Sequence, residues 1–348
     1  YLHANCSHCH VADGGGNARI ELEIDTKKAK TQIFDVAPLQ GDFDIVDARL
    51  VAPGDPYRSV ILYRISKLGR GRMPRLGSAE VDQRAVRLLH DWIQGLPPET
   101  STTTAQSAAS LREGDRAAIT ALSAAKDATA EMAAKAVDRL LSTTNGAILL
   151  LSAMYDGRVN GPVAKAVVQR ASEHASVEVR DLFETFLPES QRLKRLGNVF
   201  DPQAILAMQG DPARGEVLFF KTAGVQCQSC HQIKGQGREV GPDLSTVGKK
   251  LAPPQILESI IDPSKAVEEK FVTYLVETTD GLVRGGILVE KTDREVVLRD
   301  SQNQLIRVPA ADVELMVKQR KSLMPELMLR DVTAQQAADL LAYLTSLK

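Results

Sequence analysis

The sequence contains few aromatic residues, few cysteines and no surplus of either charge. Phe, Trp and Tyr make up 4% of the 348 residues, although 43% of the residues are hydrophobic. A core of this size is built mainly from Ala, Leu and Val, which favours helices, unless a large flat group supplies the missing ring area. Lys and Arg number 43 against 44 Asp and Glu, so no whole-protein field favours nucleic acid or an anionic membrane.

Long apolar runs are also missing. The longest uncharged apolar stretch, residues 146–155, is far below the roughly 20 residues that a transmembrane helix needs. Residues 1–5 have neither the basic start nor the apolar run of a signal peptide, so any export signal was removed or lies upstream. We therefore expect no transmembrane segment in this chain.

The four cysteines form two copies of one motif. They occur as Cys6-Ser7-His8-Cys9-His10 and Cys227-Gln228-Ser229-Cys230-His231. This spacing attaches c-type haem: the two thiols add across the porphyrin vinyl groups, and the histidine that follows is placed below the iron as a ligand. A redox dithiol, a zinc knuckle and two disulfides are the alternatives. A dithiol does not require the histidine, and a four-cysteine zinc site would not need it twice. The motifs therefore predict two covalent haem c groups.

The second axial ligand of each iron is predicted to be a methionine. Met73 is the only methionine among residues 1–97, and it lies in a Gly/Pro-rich loop where a thioether is a better iron ligand than core residue. Met324 shares the Met-Pro step with Met73, so we prefer it to Met316 and Met328, which are more simply interpreted as core residues. Apolar residues at helical spacing follow each loop, over residues 81–96 and 332–347, and Thr333 with Gln336 predicts a capping box at the start of the second helix.

Both blocks resemble class I cytochrome c domains in this order of attachment motif, loop, further helices, Met-Pro loop and closing helix. The resemblance implies that the carbonyl of Pro242, within Gly241-Pro242-Asp243-Leu244, accepts the proximal imidazole N–H of His231. Ala37-Pro38-Leu39 is a weaker counterpart in the first block. The block from about Gly210 onward is similar to the haem-binding domain of large bacterial dehydrogenase-cytochrome fusion proteins, which implies an attached or partnered dehydrogenase.

The two blocks differ from each other in two respects. A helix is predicted before Cys227, whereas only five residues precede Cys6, which favours an origin in a longer polypeptide over loss of the helix. The second block also contains alternating β-branched runs separated by Asp/Gly/Asn turns over residues 271–309. Such runs predict a small β-barrel or meander inserted between the haem motif and the methionine loop.

The predicted fold class is mainly α. Residues 1–97 form the first cytochrome c domain, residues 98–109 a polar, proline-led linker, and residues 110–205 a helical spacer. Residues 206–348 form the second cytochrome c domain with its β insertion. The spacer resembles HEAT repeats at the turn of residues 175–180, but a single match also suits an ordinary helical spacer.

Positive charge is concentrated before Met73. Residues 56–79 contain no acidic residue but six cations, among them Arg72. Cations here would pair with haem propionates, or would steer an acidic redox partner to an exposed haem edge. We include Arg72 among the cofactor-binding residues for this reason. No stacking aromatics accompany the cations, which argues against nucleic acid binding.

The sequence thus predicts a dihaem electron-transfer protein with His10 and Met73 on one iron and His231 and Met324 on the other. It is expected to be periplasmic or otherwise extracytoplasmic, to act with redox protein partners or an attached dehydrogenase domain, and not to be an enzyme itself. A dihaem enzyme of the peroxidase type, with one open iron, is the alternative, and two Met-Pro loops argue against it. A helical interaction scaffold with structural haems is a third possibility, supported only by the middle region.

Overall fold

The computed structural model of the chain describes residues 1–11, 18, 20–39, 41–75, 80–98, 104–123, 130–222, 225 and 227–348. Part of the predicted linker, residues 99–103, and the end of the first methionine loop, residues 76–79, lie outside the described residues. The described residues form two compact units, one of Tyr1–Val11 with Ala18–Leu193 and one of Lys194–Lys348. Helices account for about 44% of the chain, and antiparallel sheet accompanies them. This agrees with the prediction of helices as the main element.

The first unit is helical. Its short 3-10 helices span Lys28–Lys30, Pro56–Arg58, Glu184–Phe186 and Glu189–Gln191. Its α-helices are α1 (Leu2–Cys6), α2 (Val60–Ile65), α3 (Gln83–Gln94), α4 (Thr104–Ser123), α5 (Ala130–Leu141), α6 (Thr144–Tyr155), α7 (Gly161–Ser172) and α8 (Val177–Phe183).

Helix α3 is the closing helix that the sequence predicts after the first methionine loop. The Asp82 carboxylate caps its amino end by accepting hydrogen bonds from the Arg84 and Ala85 amides, each at 3.0 Å. Its buried residues lie on one helical face: Ala85, Val86, Leu89 and Ile93. The Ile93 carbonyl accepts a hydrogen bond from the Gly54 amide at 2.9 Å, which ties the helix to the loop before α2.

Helices α6 and α8 were expected to belong to a separate spacer. They instead pack against the segment within residues 1–97 that carries the first cysteine motif (the first haem-motif segment). The Asn145 side chain in α6 bridges two of its loops, since Oδ1 accepts from the Val46 amide at 2.9 Å and Nδ2 donates to the Tyr57 carbonyl at 3.1 Å. The Tyr63 hydroxyl donates to the Glu178 carbonyl in α8 at 3.1 Å. These contacts explain why residues up to Leu193 belong to the first compact unit.

The structure also differs from the predicted linker. Residues 98–109 were expected to be a polar, proline-led linker, but α4 begins at Thr104. Alanine-rich sequence from this point favours a helix, and this local propensity outweighs the polar composition on which the linker prediction was based.

The second unit combines helices with two sheets. Its helices are α9 (Pro202–Leu206), α10 (Pro212–Phe220), α11 (Val247–Lys250), α12 (Pro253–Ile261) and α13 (Ala334–Ser346). Its short 3-10 helices span Cys227–Ser229, Glu269–Phe271 and Ala310–Asp312. Its strands are β1 (Gln232–Ile233), β2 (Gln236–Gly237), β3 (Thr273–Thr278), β4 (Val283–Lys291), β5 (Glu295–Arg299), β6 (Leu305–Pro309) and β7 (Val313–Lys318).

Helices α10 and α13 cross at close contact. A Cβ atom on Gly215 would lie 2.1 Å from the Asp339 carbonyl oxygen, so a glycine is required at the crossing. The Asp339 side chain, 5% exposed, accepts hydrogen bonds from Arg214 Nε at 2.7 Å and from the Asp211 amide at 2.8 Å. Thr333 and Gln336 form the predicted capping box at the start of α13, with bonds of 3.1 and 3.0 Å.

The β insertion is a five-stranded antiparallel sheet in the order β6-β5-β4-β3-β7. Strands β3 to β6 form the meander that the alternating runs predict. The sheet extends past the predicted end at residue 309, because β7 returns to pair with β3. Met316 in β7 packs against the buried side chains of this sheet, which agrees with its interpretation as a core residue. The buried cluster against which it packs consists of Val276, Val296, Leu298 and Val308.

Within the described residues, no helix is both long and apolar enough to cross a membrane.

Candidate haem-binding sites

The two cysteine motifs adopt the same backbone turn. In the first, the amides of Cys9 and His10 donate to the Cys6 carbonyl at 3.2 and 2.9 Å. In the second, the amides of Cys230 and His231 donate to the Cys227 carbonyl at the same two distances. Each turn therefore holds its two cysteines and its histidine in one local arrangement.

The surroundings of three of the cysteines disfavour the thiolate form. All four are free thiols in the structure. Burial raises the pKa of Cys227 to about 12 and also raises the pKa values of Cys6 and Cys230. Zinc requires thiolates, which such surroundings disfavour, and the described residues contain no group of three or more His, Cys, Asp or Glu side chains that could hold a metal ion.

His231 is held as the resemblance implies. Its Nδ1 lies 2.9 Å from the Pro242 carbonyl oxygen, so Nδ1 carries the proton and the lone pair of Nε2 stays available to a metal ion. Burial lowers the pKa of His231, although the bond to Pro242 opposes this, and a neutral imidazole is the form that binds iron. Gly241 packs closely against the imidazole ring. A Cβ atom at this position would lie only 2.7 Å from His231 Cε1.

His10 lacks this support. Its Nδ1 is buried, and within the described part of the chain it has no hydrogen-bond partner. The suggested role of Pro38 as a counterpart of Pro242 is therefore wrong. The segment around Pro38 instead runs beside residues 50 and 51, because the Val36 carbonyl accepts the Leu50 amide at 2.8 Å. Burial lowers the pKa of His10, followed by the positive charge of Arg64 and then that of His8.

Arg64, near the end of α2, holds the first methionine loop by two hydrogen bonds. Its carbonyl accepts a hydrogen bond from the Met73 amide at 3.0 Å, and its Nε donates to the Gly71 carbonyl at 2.6 Å. Both ends of the residue thus hold the loop, while its charge acts on His10. Met73 itself is half-buried.

Met324 lies in a comparable but differently fixed loop. Its amide donates to Ser322 Oγ at 3.1 Å, and the Ser322 amide in turn donates to Ser264 Oγ at 3.1 Å. Met324 is half-buried, and the chain behind it enters the apolar core at Leu329 and Val332. The loop is thereby fixed on one side to the segment after α12 and on the other to the start of α13.

The cations before Met73 do not all remain available for an anionic group. Lys67 forms an ion pair with Asp181, with Nζ 2.7 Å from Oδ2. Arg72 is 9% exposed, and its guanidinium also donates to the Glu80 carbonyl. Arg72 therefore makes a contact within the protein, and its role beside a cofactor stays a prediction.

Two interactions that organise these sites are not evident from the sequence. The Arg214–Asp339 bond at the α10–α13 crossing joins residues far apart in the chain, and so does the Lys67–Asp181 pair. Neither has a local motif. The sequence shows that Gly241 precedes Pro242, but only the structure shows how close Gly241 lies to His231.

Comparison with known proteins supports the second site. Residues 212–278 match the family model of cytochrome c, a segment that includes α10, the second cysteine motif, Pro242 and α12. A search of curated proteins found no match to the chain. The second unit thus contains a cytochrome c domain, which implies covalently bound haem c and a part in electron transfer.

Proposed function

We propose that the chain is a dihaem c-type cytochrome that transfers single electrons through two haems with His/Met ligation. The observation that carries the proposal is the repetition of one backbone turn, with equal hydrogen-bond lengths, at Cys6–His10 and at the matched motif Cys227–His231. A turn that presents two thiols and an imidazole in this arrangement suits haem attachment at the first motif as well as the second.

Each residue has a defined task in this proposal. Cys6, Cys9, Cys227 and Cys230 would hold the porphyrins, and His10 and His231 would bind iron through Nε2. Met73 and Met324 would supply thioether sulfur as the second ligand of each iron, and Arg72 would neutralise propionate charge. Haem c bound in this way supplies a reversible one-electron iron couple. Burial lowers the pKa of both histidines, which favours the neutral imidazole that iron binds.

The wider role follows from these features. Without an open iron position the chain carries electrons rather than reacting with a small substrate, so it serves a redox protein partner or a dehydrogenase that is attached or associated. Covalent haem attachment needs reduced thiols and exported haem, which places the chain in the periplasm or another extracytoplasmic space.

Substitution of the methionines tests the proposal. Met73→Ala and Met324→Ala should each remove about half of the Met-to-ferric-iron charge-transfer absorption, and each should open one haem to carbon monoxide. Met316→Ala is the matched control, because Met316 packs in the sheet, and it should leave the absorption unchanged. A high-spin haem that reacts with peroxide in the unsubstituted protein would instead favour the peroxidase type of enzyme.

A further inference from the structure

We propose that the two haems are poised at different reduction potentials, with the haem at His10 higher than the haem at His231, and that Arg64 is the positioning residue that sets much of this difference. The inference rests on the proposed function, since it requires a haem at each motif. An electron that enters the chain therefore resides mainly on the haem at His10.

The first argument is the charge next to each ligand histidine. Reduction removes one positive charge from the iron, so a nearby cation favours the ferrous form and raises the potential. The Arg64 guanidinium donates to the Gly71 carbonyl at 2.6 Å, two residues before Met73, and lies 5.7 Å from the centre of the Phe43 ring. These half-buried surroundings screen its charge less than water does, and the same charge contributes to the lowered pKa of His10. For His231, burial and the Pro242 carbonyl are the influences that the structure resolves, and neither is a charged side chain.

Arg64 keeps its charge at neutral pH. An arginine guanidinium stays protonated throughout the neutral range. The neighbouring cation Lys67 does not reinforce it to the same extent, because Lys67 is paired with Asp181. Arg64 is therefore a cation that is held at the first methionine loop, together with Arg72.

The second argument is the hydrogen bond to the ligand imidazole. Donation from Nδ1–H to a carbonyl makes the imidazole a stronger donor, which stabilises ferric iron and lowers the potential. His231 makes this bond to Pro242 at 2.9 Å, whereas His10 Nδ1 is buried with no acceptor among the described residues. Both the charge and the hydrogen bond therefore favour a higher reduction potential for the haem at His10 than for the haem at His231.

Arg64 also positions the methionine. Its carbonyl holds the Met73 amide and its Nε holds the Gly71 carbonyl, so the residue that carries the charge also fixes the loop. These two effects can be separated by substitution. Arg64→Lys retains the positive charge but loses the planar guanidinium. Arg64→Met loses both the charge and the guanidinium and retains an unbranched side chain.

The experiment is a reductive titration of the full matured chain, followed by visible absorption. Two one-electron waves are expected, and the wave that Met73→Ala displaces identifies the haem at His10, while Met324→Ala identifies the other. Arg64→Met should lower the wave of the first haem and leave the second in place. Arg64→Lys should lower it less. Arg158→Met, on an exposed pair with Asp156, is the control and should move neither wave.

Three results would overturn the inference. The first is a wave of the His10 haem that lies at or below that of the His231 haem in the unsubstituted protein, a comparison that does not depend on the Arg64 variants folding. The second is an Arg64→Met protein that retains its Met-iron absorption and its original first wave. The third is a haem content of one per chain, which would overturn the proposed function as well and so is distinguishable from the other two.

Discussion

Lys67 and Asp181 form a buried ion pair that joins the first haem-motif segment to helix α8. The Lys67 Nζ lies 2.7 Å from Asp181 Oδ2, and the two side chains are 3% and 6% exposed. Lys67 also donates to the Tyr63 hydroxyl at 3.0 Å, and the Leu68 amide donates to the Asp181 carbonyl at 3.3 Å. The pair therefore lies at the centre of the contact that makes residues 1–11 and 18–193 one compact unit.

Removal of one partner from this pair should be strongly destabilising. Lys67→Met or Asp181→Leu leaves a buried charge without its partner, and each should lower the free energy of unfolding by about 3–5 kcal/mol. The double variant replaces both charges by apolar groups and should recover most of that loss. Denaturant unfolding measures all three proteins.

A matched control is the exposed pair Arg158–Asp156, whose side chains are 45% and 43% exposed. Arg158→Met should change the free energy of unfolding by about 0–1 kcal/mol. Single Lys67 and Asp181 variants that are as stable as the double variant would show that the pair does not hold α8 in place.

Gly241→Ala should disturb the second haem and spare the first. The added Cβ atom would lie 2.7 Å from His231 Cε1 and 3.0 Å from Nδ1, so the ring must move and its bond to Pro242 must lengthen. We expect loss of about half of the Met-iron absorption. The matched control in the same unit is Gly285→Ala, whose nearest neighbour is the end of the Leu275 side chain at 3.1 Å, which can shift. Equal spectra for both variants would contradict the described position of His231.

The Asp339 carboxylate should make the stability of the second unit depend on acid pH. Burial raises the pKa of this carboxyl, but hydrogen bonds from Arg214, the Asp211 amide and Gln335 outweigh burial and leave the pKa below its ordinary 3.8. The folded protein thus binds this proton less readily than the unfolded chain does. The stabilisation is complete above the ordinary pKa and is lost as the pH falls through the lower folded value.

Asp339→Asn tests this relation. At neutral pH the substitution should lower the free energy of unfolding by about 1–3 kcal/mol. The reason is that the hydrogen bonds from Arg214 to a carboxylate become weaker bonds to a neutral amide. The difference between the two proteins should shrink as the pH falls below about 3.8. A difference that stays constant from neutral to acid pH would mean that the carboxylate charge does not stabilise the α10–α13 crossing.

The sequence predicted the parts of the molecule that depend on local patterns. The two Cys-x-x-Cys-His motifs, the cap of Thr333 on α13 and the meander of β3 to β6 each follow from neighbouring residues. The return of β7 to β3 could not be predicted in this way, since strand pairing over a long separation leaves no local signature. The same holds for Asp181, which looks like an ordinary polar residue until α8 packs against Lys67.

The contrast between His10 and His231 was also invisible in the sequence. The two motifs have the same spacing of cysteines and histidine, and Pro38 looked like a counterpart of Pro242. Only the folded backbone shows that the Pro242 carbonyl faces its histidine, whereas His10 Nδ1 has no acceptor among the described residues.

The haem content of the chain is the measurement that tests the central claim most directly. The full chain is produced with a c-type maturation system and treated with acidified acetone, which removes haem that is not covalently bound. Its intact mass should then exceed that of the apoprotein by two haems. Cys6→Ala with Cys9→Ala should reduce the excess to one haem, and so should Cys227→Ala with Cys230→Ala. An excess of a single haem that only the second pair of substitutions removes would contradict the account, because the first motif would then fold into the attachment turn without binding haem.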